Sequence, residues 1–190
     1  MKNEITGMKL RLIVMNFLQF AVWGAYLTSM GTYLFNIGLG AKIGLFYAMQ
    51  GIVSLFMPAI MGIIADRWVP AQKLYGFCHF MAAVFMVAAG WYGYVDGEAV
   101  NFGTLFTFYS LSVAFYMPTL ALTNSVAYTA LDKVKLDPVI AFPPIRIFGT
   151  IGFICSMLLT DILGFQNNYM QFFFLCLLWS DTGGLCAYFA

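Results

Sequence analysis

Six apolar stretches, each closed by a short polar break, run through this sequence and leave little room for any other architecture. A helix that crosses a bilayer needs about 20 largely apolar residues, because backbone N–H and C=O groups find no water in hydrocarbon and must bond within the helix. The stretches lie at about 8–35, 42–65, 73–95, 101–130, 143–163 and 168–190. Between them come residues 36–41 with Gly38 and Gly40, residues 66–72 with Pro70, and Asp96-Gly97-Glu98. A charged run at 132–137 before Pro138 and the polar residues 164–168 complete the set.

Composition agrees. Soluble domains carry about 45–50% apolar and about 25% charged residues. Here 62% of the 190 residues are hydrophobic, 18% aromatic and only 9% charged, with a mean hydropathy of +0.85. The expected fold class is therefore an all-α membrane protein of six transmembrane helices, with residues 1–190 as a single transmembrane domain. A formal net charge of +1 leaves no basic surface for nucleic acid and no acidic tail.

The first stretch begins with Lys2, Lys9 and Arg11, as a secretory signal would. It is too long for a signal core, carries Asn16 and Gln19, and lacks a small-residue cleavage site, so a retained helix is expected. Lys2, Lys9, Arg11, Arg67, Lys73, Lys133 and Lys135 fall on one side of a six-span arrangement and Lys42 alone on the other. Basic residues concentrate on the cytoplasmic side, so both termini are expected there.

Little ionic or redox chemistry is visible. Cys78, Cys155, Cys176 and Cys186 are scattered without C-x-x-C spacing and read as small buried hydrophobes. His79, the single histidine, reads as an interfacial or packed polar residue rather than a proton relay. No metal-ligand cluster, nucleophile–base pair or glycine-rich phosphate loop is evident, so neither an enzyme nor a cofactor is expected.

The polar residues inside the spans are more informative, since each must face a neighbouring helix or water. In the first span Asn16, Gln19, Trp23, Tyr26, Met30 and Tyr33 recur every three or four residues and share a helical face. The fourth span does the same with Tyr109, Ser112, Tyr116, Thr119 and Thr123, and Asn124 lies nearby. Two readings stand: both faces line one cavity, or both are contacts that hold helices together. Aromatic rings beside amides and hydroxyls suit a flat, polar, uncharged ligand.

Arg146 is the strongest single signal. It lies near the start of the fifth span, where a guanidinium cannot face lipid without a partner or water. Pro143 and Pro144 are expected in the first turn of that helix, where missing amide protons are tolerated. Thr150 and Phe153 follow Arg146 on the same face, and Gly149 and Gly152 permit close approach of another helix. The alternative is an Arg146 that snorkels to the interface. Asp161 reads as interfacial, whereas Asp181 in Trp179-Ser180-Asp181-Thr182-Gly183-Gly184 marks a buried acid or a helix break.

Four stretches carry a resemblance to a known family. They are Phe17-Leu18-Gln19-Phe20-Ala21-Val22-Trp23-Gly24, then Phe56-Met57-Pro58 running through Gly62-Ile63-Ile64-Ala65-Asp66-Arg67-Trp68, then Tyr116-Met117-Pro118-Thr119-Leu120. The most specific is Pro143-Pro144-Ile145-Arg146-Ile147-Phe148-Gly149-Thr150-Ile151-Gly152-Phe153. Together they resemble the nucleoside:proton symporters of the major facilitator superfamily, over about residues 8–172.

The resemblance implies twelve helices in two six-helix halves that carry nucleosides inward with protons by alternating access. This chain would then be the amino-terminal half, two inverted three-helix repeats, in a bacterial cytoplasmic membrane. Its implied partners are a nucleoside of the uridine or adenosine type, protons, the lipid bilayer, and either a missing carboxy-terminal half or a second copy. The resemblance places Arg146, Thr150 and Phe153 against the nucleoside, Phe153 stacking on the base, with Gln19 and Trp23 as further substrate-binding positions. Gly62, Asp66 and Arg67 resemble the superfamily's gating motif, the glycine allowing close packing and the acid pairing with helix ends of the opposite half. From about Cys176 onward the sequence departs from the family pattern. The competing expectation is a non-transporting six-helix remnant or assembly partner whose polar faces only join helices.

Overall fold

The computed structural model describes residues 2–175, which form long helices joined by short turns. The helices are α1 (Lys2–Leu27), α2 (Ser29–Asn36), α3 (Ile43–Arg67), α4 (Ala71–Asp96), α5 (Phe102–Lys133) and α6 (Pro138–Ile162). Five stretches among them are long and apolar enough to cross a membrane, α1 and α2 together making the first. Residues 170–175 are helical and open the sixth expected span. The rest of that span, with Cys176, Asp181, Gly183, Gly184 and Cys186, lies outside the described residues.

The first span is not one helix. It breaks at Thr28, and the freed carbonyl of Leu27 accepts a hydrogen bond from the Tyr47 hydroxyl of α3 at 2.5 Å. A side chain that enters the backbone ladder in this way is a recognised cause of a kink. Ser29, just after the break, is buried with its hydroxyl 2.5 Å from the Ala25 carbonyl and 2.8 Å from Gln171 Oε1.

The start of α6 corrects the expectation for the two prolines. Pro138 occupies the first turn, and the Asp137 carboxylate caps the helix by accepting from the Val139 amide at 2.9 Å. Pro143 and Pro144 therefore sit inside the helix, about one turn further on. Arg146 is displaced with them, about 12 Å along the axis from Pro138 at 1.5 Å per residue.

Helix α6 packs along α1, while α3 and α4 pack on α5. Two buried clusters fill the interior: one around Tyr26, Phe46, Met86, Tyr109 and Phe172, the other around Leu12, Met15, Tyr75, Val126 and Ile145. Large apolar side chains also point outward, among them Leu55, Phe56 and Ile63 on α3 and Ile147, Ile151 and Leu158 on α6. Contiguous exposed apolar surface of this kind is what a lipid-facing wall requires.

Candidate functional site

The α1–α6 contact builds the site, and glycines set its closeness. A Cβ on Gly24 would stand 2.2 Å from the Phe153 carbonyl oxygen, and one on Gly152 would stand 2.2 Å from the Phe17 carbonyl oxygen. Real Cβ atoms never come that near, so the two backbones touch through both glycines. Gly149 makes room in the same seam for the Phe20 ring, which a Cβ there would meet at 2.7 Å.

With the backbones this close, side chains at the edge of the seam are forced together. The Arg146 guanidinium lies over the Phe20 ring, 3.7 Å from its centroid. Phe20 contacts Trp23 with ring centroids 6.1 Å apart, and Trp23 meets Phe153 edge-on at 6.1 Å and 85°. Arg146, Trp23 and Phe153 are half-buried and Thr150 is exposed, so the row opens outward from the seam. The indole Nε1 of Trp23 is buried and has no hydrogen-bond partner among the described residues. A cation held by a ring face and two further half-buried rings form a surface suited to a flat aromatic ligand with polar edges.

Gln19 is placed differently. It is fully buried, donating from Nε2 to Thr119 Oγ1 at 2.8 Å and accepting at Oε1 from the Tyr75 hydroxyl at 2.7 Å. Its backbone carbonyl accepts from the Tyr116 hydroxyl at 2.7 Å. One glutamine thus ties α1 to α4 and α5. Most other residues of the two polar faces, Asn16, Tyr26, Tyr33, Tyr109, Ser112, Tyr116, Thr119 and Thr123, are buried as well. Ser112 donates to the Ala82 carbonyl of α4 at 2.8 Å. The hydroxyls of Tyr26, Tyr33 and Tyr109 and the Asn16 Oδ1 are buried with no hydrogen-bond partner among the described residues. Only Trp23 and the exposed Asn124 stand apart.

His79 belongs to this interior. Its ring packs on Tyr75 at 4.3 Å, and Nδ1 lies 3.1 Å from the Tyr75 carbonyl oxygen. Cys78 beside it is buried, as expected, whereas Cys155 is exposed on α6.

Gly62, Asp66 and Arg67 lie at the carboxy-terminal end of α3, apart from the α1–α6 row. Nothing stands within 4 Å of where a Gly62 Cβ would be, so this glycine packs no helix among the described residues. Asp66 and Arg67 are exposed. Asp161, near the end of α6, is exposed and accepts from the Gln166 amide.

A family model for nucleoside H+ symporters matches residues 6–179. The chain belongs to the nucleoside H+ symporter family. Among curated proteins it is 40% identical over 166 residues to xanthosine permease of Escherichia coli (strain K12), covering 86% of this chain and 38% of that one. It is 39% identical over 170 residues to nucleoside permease NupG of the same organism, covering 88% of this chain and 39% of that one. A crystal structure of the nucleoside transporter NupG superposes with a TM-score of 0.86 at 36% identity, covering 96% of this chain and 44% of that one. This chain thus spans about two fifths of the length of these curated relatives. Its fold is one half of a major-facilitator-type bundle.

Proposed function

We propose that this symporter chain forms one wall of a carrier that takes up nucleosides with protons across a bacterial cytoplasmic membrane. The observation that carries the reading is the Arg146–Phe20–Trp23–Phe153 row, where an intramembrane charge meets a run of rings of which Trp23 and Phe153 are half-buried. Phe153 and Trp23 offer ring faces and edges to a uracil or adenine base, while Arg146 and Thr150 offer hydrogen bonds to its polar edge. Gln19, locked among Tyr75 and Thr119, supports the row by holding α1 in place. Alternating access needs a second bundle across the site, supplied by a carboxy-terminal half or a second copy. Asp66 and Arg67, at the end of α3, are available to pair with that bundle when the inner gate closes. Arg67, Lys73, Lys133 and Lys135 crowd the turns at one end of the bundle, which favours that end, and with it both termini, as cytoplasmic.

The test is binding of radiolabelled uridine to the purified protein in detergent, with unlabelled uridine and adenosine as competitors. Specific, competable binding that falls in Arg146→Ala supports the reading. Undiminished affinity in that variant removes Arg146 from the site. No binding by the parent protein favours a non-transporting membrane partner.

A further inference from the structure

Exposed positions on α3 and α6 carry Leu, Ile and Phe, but the carboxy-terminal part of α5 does not follow that rule. Over residues 121–129 the exposed residues are Ala121, Asn124, Ser125, Tyr128 and Thr129, spaced so that they share one face. The Thr129 hydroxyl is satisfied by the Ser125 carbonyl at 2.9 Å. The Asn124 amide has no hydrogen-bond partner among the described residues. An amide turned out of a membrane helix is costly in hydrocarbon, so this face points to water or to a polar ligand.

Its place in the fold selects between them. Helices α5 and α6 run antiparallel from a short turn, and Tyr128 meets Phe142 edge-on with centroids 5.0 Å apart. Asn124 lies one turn deeper than Tyr128 on α5, and Arg146 one turn deeper than Phe142 on α6. At 1.5 Å rise per residue Asn124 is about 13 Å from the end of α5, and Arg146 about 12 Å from the start of α6. The two side chains therefore stand at one depth. Helix α6 packs chiefly on α1 and only lightly on α5, so the two residues stand on neighbouring helices that are not closely packed against each other.

From this juxtaposition we infer that Asn124 is a specificity-determining residue, its amide reading the polar edge of the base held by Arg146 and Phe153. An amide offers one acceptor oxygen and two donor hydrogens. That set matches the paired donor and acceptor of adenine, and the imide edge of uracil presents a similar pair. The inference rests on the nucleoside reading above.

The experiment uses the intact protein with its native cysteines replaced, and single cysteines at Asn124→Cys or at the lipid-facing Ile147→Cys. A charged thiol reagent is applied with and without uridine or adenosine. In parallel, Asn124→Leu and Asn124→Asp are assayed for binding of both nucleosides. Expected are modification at 124 but not at 147, slowing of that modification by nucleoside, and a loss of about tenfold or more in affinity for Asn124→Leu. Asn124→Asp, acceptor only, should change the uridine-to-adenosine preference as well. A cysteine at 124 that does not react, or reacts equally fast with nucleoside present, overturns the inference, as do variants with unaltered affinity. If the parent protein binds nucleoside while these fail, only the role of Asn124 falls. If the parent binds none, the nucleoside reading falls and takes this inference with it.

Discussion

Gly24 of α1 and Phe153 of α6 meet backbone to backbone, and that contact decides where the Phe153 ring stands relative to Trp23. The reciprocal pair, Gly152 against Phe17, repeats the contact on the opposite strand of the seam. Any side chain at either glycine must push the helices apart. Gly24→Ala and Gly152→Ala are each expected to cost about 1–3 kcal/mol, as overpacking does elsewhere. Gly62→Ala, with open space beside it, should be neutral or slightly stabilising. Thermal unfolding in detergent checks this, and equal behaviour of all three variants would show that the seam is not close-packed.

Charge and shape at Arg146 can be separated. Its guanidinium lies over Phe20, 3.7 Å from the ring centroid, and a planar fork can stack there while donating at its edge, which a point-like ammonium does not do. Arg146→Lys is therefore expected to lower uridine affinity by about tenfold, equivalent to about 1.4 kcal/mol. Full retention in the lysine variant would mean that charge alone matters.

Trp23 and Gln19 lie four residues apart on α1 but are expected to differ in kind. Trp23→Ala should weaken nucleoside binding with little change in unfolding temperature, because the ring is half-buried at the edge of the bundle. Gln19→Leu should lower stability, since it strands the Tyr75 hydroxyl's contact and the Thr119 oxygen in the interior. A double-mutant cycle of Gln19→Leu with Tyr75→Phe should give a coupling of about 0.6 kcal/mol, the average for hydrogen bonds between membrane helices, and no more than about 1.7 kcal/mol. A coupling near zero would remove this bond from the account of how α1 is held.

The break at Thr28 yields a further prediction. Tyr47→Phe removes the donor to the Leu27 carbonyl and is expected to destabilise the protein by about 1 kcal/mol. Its unfolding midpoint, compared with that of Tyr92→Phe, which affects only the Asn101 turn, checks it. An unchanged midpoint would mean that the Leu27 carbonyl is satisfied without Tyr47.

The all-helical membrane fold and the family were legible from hydropathy and from the proline, arginine and glycine run at 143–153. Helix ends were less so. Asp137-Pro138 is a good cap and first turn, yet the paired prolines downstream were the louder signal, and they proved to be interior. The glycines at 149 and 152 announced a close contact, but their partner faces on Phe17 and Phe20 could not be named from spacing.

Local sequence sufficed for whatever depends on solvent alone: apolar length makes a span, because an unpaired backbone cannot exist in lipid, and periodicity puts Arg146, Thr150 and Phe153 on one face. Which faces meet was settled only by packing. Gln19 and Trp23 look equivalent along α1, yet the rotation of α1 against α5 and α6 buries the first among Tyr75, Tyr116 and Thr119 and leaves the second at the open edge beside Phe153. Asn124 was passed over for the same reason. A helix sequence records which side chains share a stripe, whereas the direction that stripe faces depends on neighbours that are distant in the chain.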